Sequence, residues 1–166
     1  MKSNDQIAPD PGLFVRTTLK AWENQVKRMD DFFESVTDDD LMLEVAPGRN
    51  TGVYLLGHLT AVIDGILPLL GLGKKLFPQL ESIFVSTPDK SGLEFPPVKE
   101  LRQCWSDVNE ELMEHFVRLE PAEWLAKHIA VSAEDFAKEP HRNRLNVVIA
   151  RITHMHYHLG QLILLR

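Results

Sequence analysis

The sequence predicts an all-α protein, built as a four-helix bundle. Apolar residues recur at steps of three and four along four long segments, and nearly all of the proline and glycine falls between those segments. No segment shows the alternating pattern of a strand. Helices with one apolar face bury those faces against each other, and four of them can enclose one core. With 166 residues, 44% of them hydrophobic, we expect a single domain over residues 1–166.

The first helix is predicted from about Leu13 to Ser35. Residues 1–11 are polar, contain two prolines and lack the apolar run of a signal peptide, so we expect a flexible N-terminus. The helix that follows carries a charged outer face. Its apolar stripe consists of Leu19, Trp22, Val26, Met29 and Phe33.

The second helix is predicted from Thr51 to Leu70. Asn50 or Thr51 is a suitable N-cap, and the glycines of residues 71–73 are expected to end the helix. Residues 78–97 are rich in proline, serine and glycine and lack periodicity. We therefore expect a long surface loop between the second and third helices.

The third helix is predicted to begin at Pro96 and Pro97, because proline is favoured in a first turn, and to continue to about Leu119. Its apolar stripe consists of Val98, Leu101, Trp105, Val108, Leu112 and Phe116. A short helical turn over residues 121–127 and an irregular segment through residue 142 come next. The last helix is predicted from about Asn143 to the C-terminus.

Composition and charge exclude several classes of function. A net charge of −6 and a pI near 5.6, without clustered lysine and arginine, argue against a nucleic-acid partner. The single cysteine, Cys104, excludes an internal disulfide and a cysteine-rich zinc site, so a metal would need nitrogen and oxygen ligands, and it fits a reducing cytoplasm. The apolar stretch over residues 53–72 is interrupted by His58, Asp64 and Pro68, which is unlike a membrane span.

Three of the seven histidines lie within five positions of the last helix. A helix advances about 100° per residue, so His154 and His158 lie on the same face and can coordinate one metal ion, while His156 points elsewhere. His156 is expected to be a packed or interface residue. His58 borders the apolar stripe of the second helix and is the candidate third ligand. A histidine pair at this spacing is, taken alone, more often two surface or partly buried side chains.

Two motifs resemble those of the DinB/YfiT-like superfamily: Gly57-His58-Leu59 early in the second helix, and His154-x-x-x-His158-x-Gly160-Gln161 on the last. The resemblance spans the chain in order of elements. It implies a four-helix bundle, usually dimeric, with a divalent metal, zinc or nickel, on His58, His154 and His158. Some members resemble transferases that use low-molecular-weight thiols, and many have no assigned reaction.

Three imidazoles with an open fourth position form the pattern of a catalytic zinc site, in which a metal-bound water or thiolate is the nucleophile. Gln161 lies one turn beyond His158 and either hydrogen-bonds a ligand or metal water or acts as an ordinary supporting amide. Asn50 either supports the site from its loop or only caps the second helix. Asp64 lies on the far side of that helix from His58 and is excluded as a fourth ligand.

The last helix is poor in charge on two sides. We therefore expect one side to pack with the metal site and the other to meet a second helix or a second subunit. A homodimer is the economical explanation, because two-fold pairing is the commonest oligomeric arrangement. The alternative is a helix central to its own bundle.

Three hypotheses for function follow. The first is a metal-dependent enzyme that transfers a thiol to a small electrophile or hydrolyses a small molecule, without a nucleic-acid or membrane partner. The second is a noncatalytic dimeric bundle with a structural or sensory metal. The third is a metal-free bundle that binds a small apolar ligand.

Overall fold

The computed structural model describes residues 10–165, and this part of the chain is all-α, as predicted. It contains no β-strand over those residues, only the isolated bridges Glu44 to Thr51 and Lys127 to Asn143. The helices are α1 Pro11–Ser35, α2 Asp38–Leu41, α3 Gly52–Asp64, α4 Ile66–Leu70, α5 Gln79–Phe84, α6 Val98–Phe116, α7 Pro121–Trp124, α8 Ala133–Lys138 and α9 Arg144–Leu162, followed by a 3₁₀ turn, Ile163–Leu165.

Helix α1 begins two residues earlier than predicted. The side chain of Asp10 accepts a hydrogen bond from the Gly12 amide at 2.9 Å, and Pro11 occupies the first helical position, where its missing N–H costs nothing. The predicted flexible segment of residues 1–11 lies mostly outside the described residues, and its last residue already belongs to α1. Trp22 and Met29 on the inner face are fully buried.

Helices α3 and α4 together occupy the predicted second helix. Thr51 is the N-cap, since its hydroxyl accepts from the Tyr54 amide at 3.3 Å, whereas Asn50 is exposed. Gly71 ends α4 with a φ of 71°, and the Leu72 amide donates to the Leu67 carbonyl at 2.8 Å. Both predicted helix boundaries are confirmed.

The prediction of a structureless loop over residues 78–97 is wrong for residues 79–84, which form α5. Leu80 and Phe84, four positions apart, are buried and pack this helix onto α3. A Cβ built on Gly57 would lie 2.5 Å from the Phe84 ring, so only glycine permits this close approach. The segment before the last helix likewise contains α8.

The end of this segment is anchored to the beginning of α3. Asp89 accepts from the Thr51 amide at 2.6 Å and from the Thr51 hydroxyl at 2.9 Å. The Tyr54 hydroxyl donates to the Thr87 carbonyl at 2.8 Å. Residues 85–89 are therefore fixed against α3 at both the backbone and the side-chain level.

The stretch Gly52–Leu70 is long and apolar enough to cross a membrane by length and composition, but 72% of its most apolar window is buried inside the chain. Helix α3 packs against α5, α6 and α9, and α1 packs against α9. This burial is that of a core helix, and it places His58 beside α9.

Helix α9 buries one continuous face within residues 10–165, and the predicted contact of its other side with a second subunit stays a prediction. Met155 lies at the centre of that face, with His158 near one edge and Leu159 near the other. The expectation that His156 packs within the chain is wrong: its side chain is exposed, and its Nδ1 donates to the Ile152 carbonyl at 2.9 Å. Residues from both of the charge-poor sides predicted for this helix lie on the buried face.

Candidate metal centre

The three histidines singled out in the sequence converge between α3 and α9. One ring nitrogen from each of His58, His154 and His158 lies within 4.8 Å of the others. The Nε2 atom of His154 is 3.3 Å from Nε2 of His58 and 2.9 Å from Nε2 of His158. Among residues 10–165, no cysteine, aspartate or glutamate joins this group.

Helix α5 fixes the orientation of His58. The carbonyl of Phe84, the last residue of α5, lies 2.8 Å from His58 Nδ1. A carbonyl can only accept, so Nδ1 carries the proton and a neutral ring leaves its lone pair on Nε2. Tyr54 lies parallel to the His58 ring, with ring centroids 6.2 Å apart and 11° between the planes. These contacts point Nε2 of His58 towards α9.

Gln161 fixes the orientation of His158. Its Oε1 accepts from His158 Nδ1 at 2.8 Å, and its amide nitrogen donates to the Tyr157 hydroxyl at 3.3 Å, which sets the direction of the amide. His158 therefore also presents a lone pair on Nε2. Of the two roles predicted for Gln161, the structure shows the supporting one.

His154 lies between the other two rings. Burial, followed by the neighbouring His158, His58 and Arg151, lowers the pKa of His154 to about 4. Burial also lowers the pKa of His158, opposed by the hydrogen bond to Gln161. Both rings are therefore neutral near pH 7, which is the form that binds metals.

The inward nitrogens have too few protons to satisfy each other. Nε2 of His58 and Nε2 of His158 are both acceptors, and the neutral ring of His154 has one proton to share between its two nitrogens. If Nε2 carries that proton it can serve only one neighbour well, and Nδ1 of His154, which is buried without a hydrogen-bond partner among the described residues, is left unpaired. A cation held by all three lone pairs removes this conflict.

The spacing of the nitrogens suits a small divalent ion. Two nitrogens bound to one tetrahedral zinc at about 2.0–2.1 Å lie roughly 3.4 Å apart. The two separations from His154 Nε2, 3.3 and 2.9 Å, are close to that value, and the nitrogens of His58 and His158 lie within 4.8 Å of each other. The residues present therefore fit an ion with three imidazole ligands, and they supply no fourth ligand from the cysteine, aspartate or glutamate side chains of residues 10–165.

Other residues considered from the sequence lie away from these rings. Asp64 is buried and accepts from the Leu76 and Phe77 amides at 2.8 and 2.9 Å, so it fixes the chain after α4. Asn50 is exposed. Sequence reasoning missed the Phe84 carbonyl, because a backbone acceptor leaves no side-chain pattern; the clue that existed was the glycine preceding His58.

No protein-family model matches the chain, and no curated protein matches it in sequence. The three converging imidazoles are therefore the strongest indication of function in the described part of the chain.

Replacing Gln161 with leucine is expected to weaken zinc binding by about 10–100-fold, because His158 loses the acceptor that fixes its tautomer and ring orientation. Zinc affinity would be measured by competition with a chromophoric chelator. Asn146→Leu is the matched control, since this exposed amide lies on the same helix away from the rings. Equal affinity in Gln161→Leu and wild type would show that Gln161 does not support the site.

Cys104 is expected to have no role in metal binding. It is buried in α6, and burial raises the pKa of its thiol, which keeps it protonated and unreactive. We expect Cys104→Ala to retain full metal stoichiometry by elemental analysis, and we expect the wild-type thiol to react with a disulfide reagent only after unfolding. Loss of metal in Cys104→Ala would identify a thiolate ligand instead.

Proposed function

We propose that this protein is a metal-dependent enzyme that holds a divalent ion on His58, His154 and His158. The observation that carries the proposal is the convergence of three imidazoles, each with one ring nitrogen within 4.8 Å of the others. Structural zinc sites are normally closed by four protein ligands, whereas catalytic sites have three and keep one position open. Three histidine ligands match the number that catalytic sites have.

We further propose that the chain is a single-domain four-helix bundle of the DinB/YfiT-like kind, with zinc or nickel as the ion, acting in the cytoplasm. The four long helical stretches, which begin at residues 11, 52, 98 and 144, support the bundle. The two histidine motifs and the all-nitrogen donor set support the class of site.

The reaction that this site supports best acts on a small molecule, by thiol transfer to an electrophile or by hydrolysis. A divalent ion held by these three imidazoles would lower the pKa of a water or of a low-molecular-weight thiol towards neutrality. The chain's own residues do the positioning. The Phe84 carbonyl and Gln161 hold the protons on the outer nitrogens of His58 and His158, and burial keeps His154 and His158 neutral.

Reconstitution with cobalt tests this proposal. The purified protein is expected to take up one cobalt ion per chain, and added azide is expected to change the visible spectrum, because an open position admits the anion. No metal uptake from zinc, nickel or cobalt would exclude both metal-dependent functions and leave a metal-free binding protein. Uptake without a response to azide would indicate a closed structural or sensory site. Thiols and small electrophiles would then be screened as substrates of the loaded protein.

A homodimer is part of the proposal, and the outer face of α9 supports it. This face carries no charged side chain over its whole length, although every residue on it is exposed. Charged residues are depleted at the centres of interfaces between subunits. The residues of this face are Asn146, Ile149, Ala150, Thr153, His156, Tyr157, Gly160, Ile163 and Leu164.

Ile149→Glu is expected to shift the protein from dimer to monomer, because the charge would be buried at the interface without a partner. Sedimentation equilibrium measures the change in mass. Val117→Glu is the control, since Val117 is 69% exposed at the end of α6. A wild-type monomer, or a dimer that tolerates Ile149→Glu, would contradict this assignment of the interface.

A further inference from the structure

Arg151 lies on α9 three positions before His154, on the side of the helix that faces the metal centre. Residues three apart on a helix are neighbours, with about 5–6 Å between their Cβ atoms. Arg151 and His154 therefore lie about one turn apart on the side of α9 that carries the histidine cluster.

Arg151 has no partner of its own among residues 10–165. Its side chain is partly buried, its Nε is shielded from solvent without a hydrogen-bond acceptor, and no carboxylate forms an ion pair with it. Burying a charge without a partner is costly. Four other arginines, Arg16, Arg102, Arg118 and Arg142, each bind an aspartate or glutamate. What sets Arg151 apart is an unpaired, shielded Nε one turn from a histidine of the cluster.

The histidine cluster also contains no negatively charged ligand. Among residues 10–165, no aspartate or glutamate joins the three rings. An imidazole ligand carries no negative charge, so the three rings would not offset the charge of a divalent ion. With an ion bound, the two positive charges of the metal and the one of Arg151 would be uncompensated at one place, in a chain whose net charge is −6.

We propose that Arg151 binds the anionic group of the substrate and that the substrate of this enzyme is a small molecule carrying a carboxylate. This inference rests on the proposed metal-dependent function and names the substrate class of the same site. The guanidinium offers a planar fork of N–H donors that fits a carboxylate with two parallel hydrogen bonds. A carboxylate there neutralises the arginine, while a donor atom on the same molecule reaches the open position of the metal.

Arg151 is in this proposal a specificity-determining residue, since it contacts the substrate away from the reacting atoms. Its contribution should appear in the affinity for anionic ligands and not in the affinity for the metal. A hydrogen bond to a charged group contributes about 1.5–3 kcal/mol, which corresponds to a factor of about 10–100 in affinity.

The test uses cobalt-loaded protein and two probes, 3-mercaptopropionate and its neutral amide. Each thiol loses its proton to the buffer and coordinates cobalt as a thiolate, which produces an absorption band that reports binding without turnover. The wild type is expected to bind the carboxylate more tightly than the amide. Arg151→Gln is expected to lose about 10–100-fold in affinity for the carboxylate, with unchanged affinity for the amide and unchanged cobalt stoichiometry.

Arg144→Gln is the matched control. Arg144 lies two turns earlier on the same helix and also has an Nε without a partner, but it is the first residue of α9 and lies farther from the histidine cluster. This variant is expected to retain the wild-type preference for the carboxylate. Arg151→Lys keeps the charge without the fork and is expected to retain part of the preference, so it provides a second measurement if Arg151→Gln does not fold.

The outcomes separate the two proposals. A wild type that binds cobalt but does not prefer the carboxylate overturns the role of Arg151 and leaves the metal-dependent function standing. An unchanged preference for the carboxylate over the amide in both Arg151 variants likewise overturns the role of Arg151 and leaves the metal-dependent function standing. A wild type that binds no metal overturns the proposed function, and the inference about the substrate falls with it.

Discussion

Alanine at His58, His154 or His158 is expected to abolish stoichiometric binding of a divalent ion, whereas alanine at His156 should leave it unchanged. Each of the first three supplies one of the nitrogens that lie within 4.8 Å of each other. His156 is exposed, and its Nδ1 donates to the backbone of its own helix at 2.9 Å. Elemental analysis after reconstitution with zinc or nickel and gel filtration measures the bound metal.

Removing one of the three ligands is expected to lower the affinity for the metal by more than the roughly 10–100-fold expected on removing a group that only orients a ligand. Circular dichroism of each metal-free variant checks that the helices remain formed. If His156→Ala loses the metal while His154→Ala retains it, the assignment of ligands to one face of α9 is wrong. Uniform retention in all four variants would place the metal elsewhere.

Gly57→Ala is expected to destabilise the protein by about 1–3 kcal/mol and also to weaken metal binding. The new methyl group would lie 2.5 Å from the ring of Phe84, which is fully buried and enclosed by its neighbours. Helix α5 must then move away from α3, and the Phe84 carbonyl moves with it, leaving His58 Nδ1 without its acceptor. Urea unfolding measures the stability, and chelator competition measures the affinity for zinc.

Gly160→Ala is the control for this prediction. Nothing lies within 4 Å of a Cβ built on Gly160, and alanine is favoured over glycine inside a helix by about 1 kcal/mol. This variant should therefore be as stable as the wild type or more so, with unchanged zinc affinity. The same helix preference applies at Gly57, so wild-type stability in Gly57→Ala would mean that the ring of Phe84 can yield.

The helix boundaries could be predicted because the groups that set them are neighbours in the chain. The hydroxyl of Thr51 and the side-chain oxygen of Asn143 each accept a hydrogen bond from the backbone N–H three residues later. Gly71 adopts a positive φ that other residues rarely adopt. Each of these depends on the residue type at one or two positions. No knowledge of the tertiary structure is needed.

The candidate site could be predicted in part for the same reason. Helical spacing places His154 and His158 on one face of α9, and the position of His58 beside the apolar stripe of the second helix made it the candidate third ligand, in agreement with the resemblance of motifs. Helix α5 could not be predicted, because six residues make fewer than two turns and give little periodicity to detect. Its contribution to the site is the carbonyl of Phe84, a group that every residue has.

The exposure of individual residues on α9 could not be predicted, for a different reason. Counting apolar residues around the helix treats Leu159, which is buried, and Ile163, which is 52% exposed, as equivalent. The difference comes from which helices lie nearby, and the sequence of α9 alone does not contain that information. The exposed apolar residues of α9, such as Ile149 and Ile163, belong to the outer face that we assign to the proposed dimer interface.

The contact between His58 and His154 joins positions 96 residues apart. Closing so long a loop costs conformational entropy, so the two rings meet only when α3 and α9 are both in place. An ion that binds only the closed arrangement acts as a reversible crosslink. At a concentration 100 times its dissociation constant it adds about 2.7 kcal/mol to the free energy of unfolding. The supply of metal in the cell would then set the lifetime of the folded chain as well as its activity.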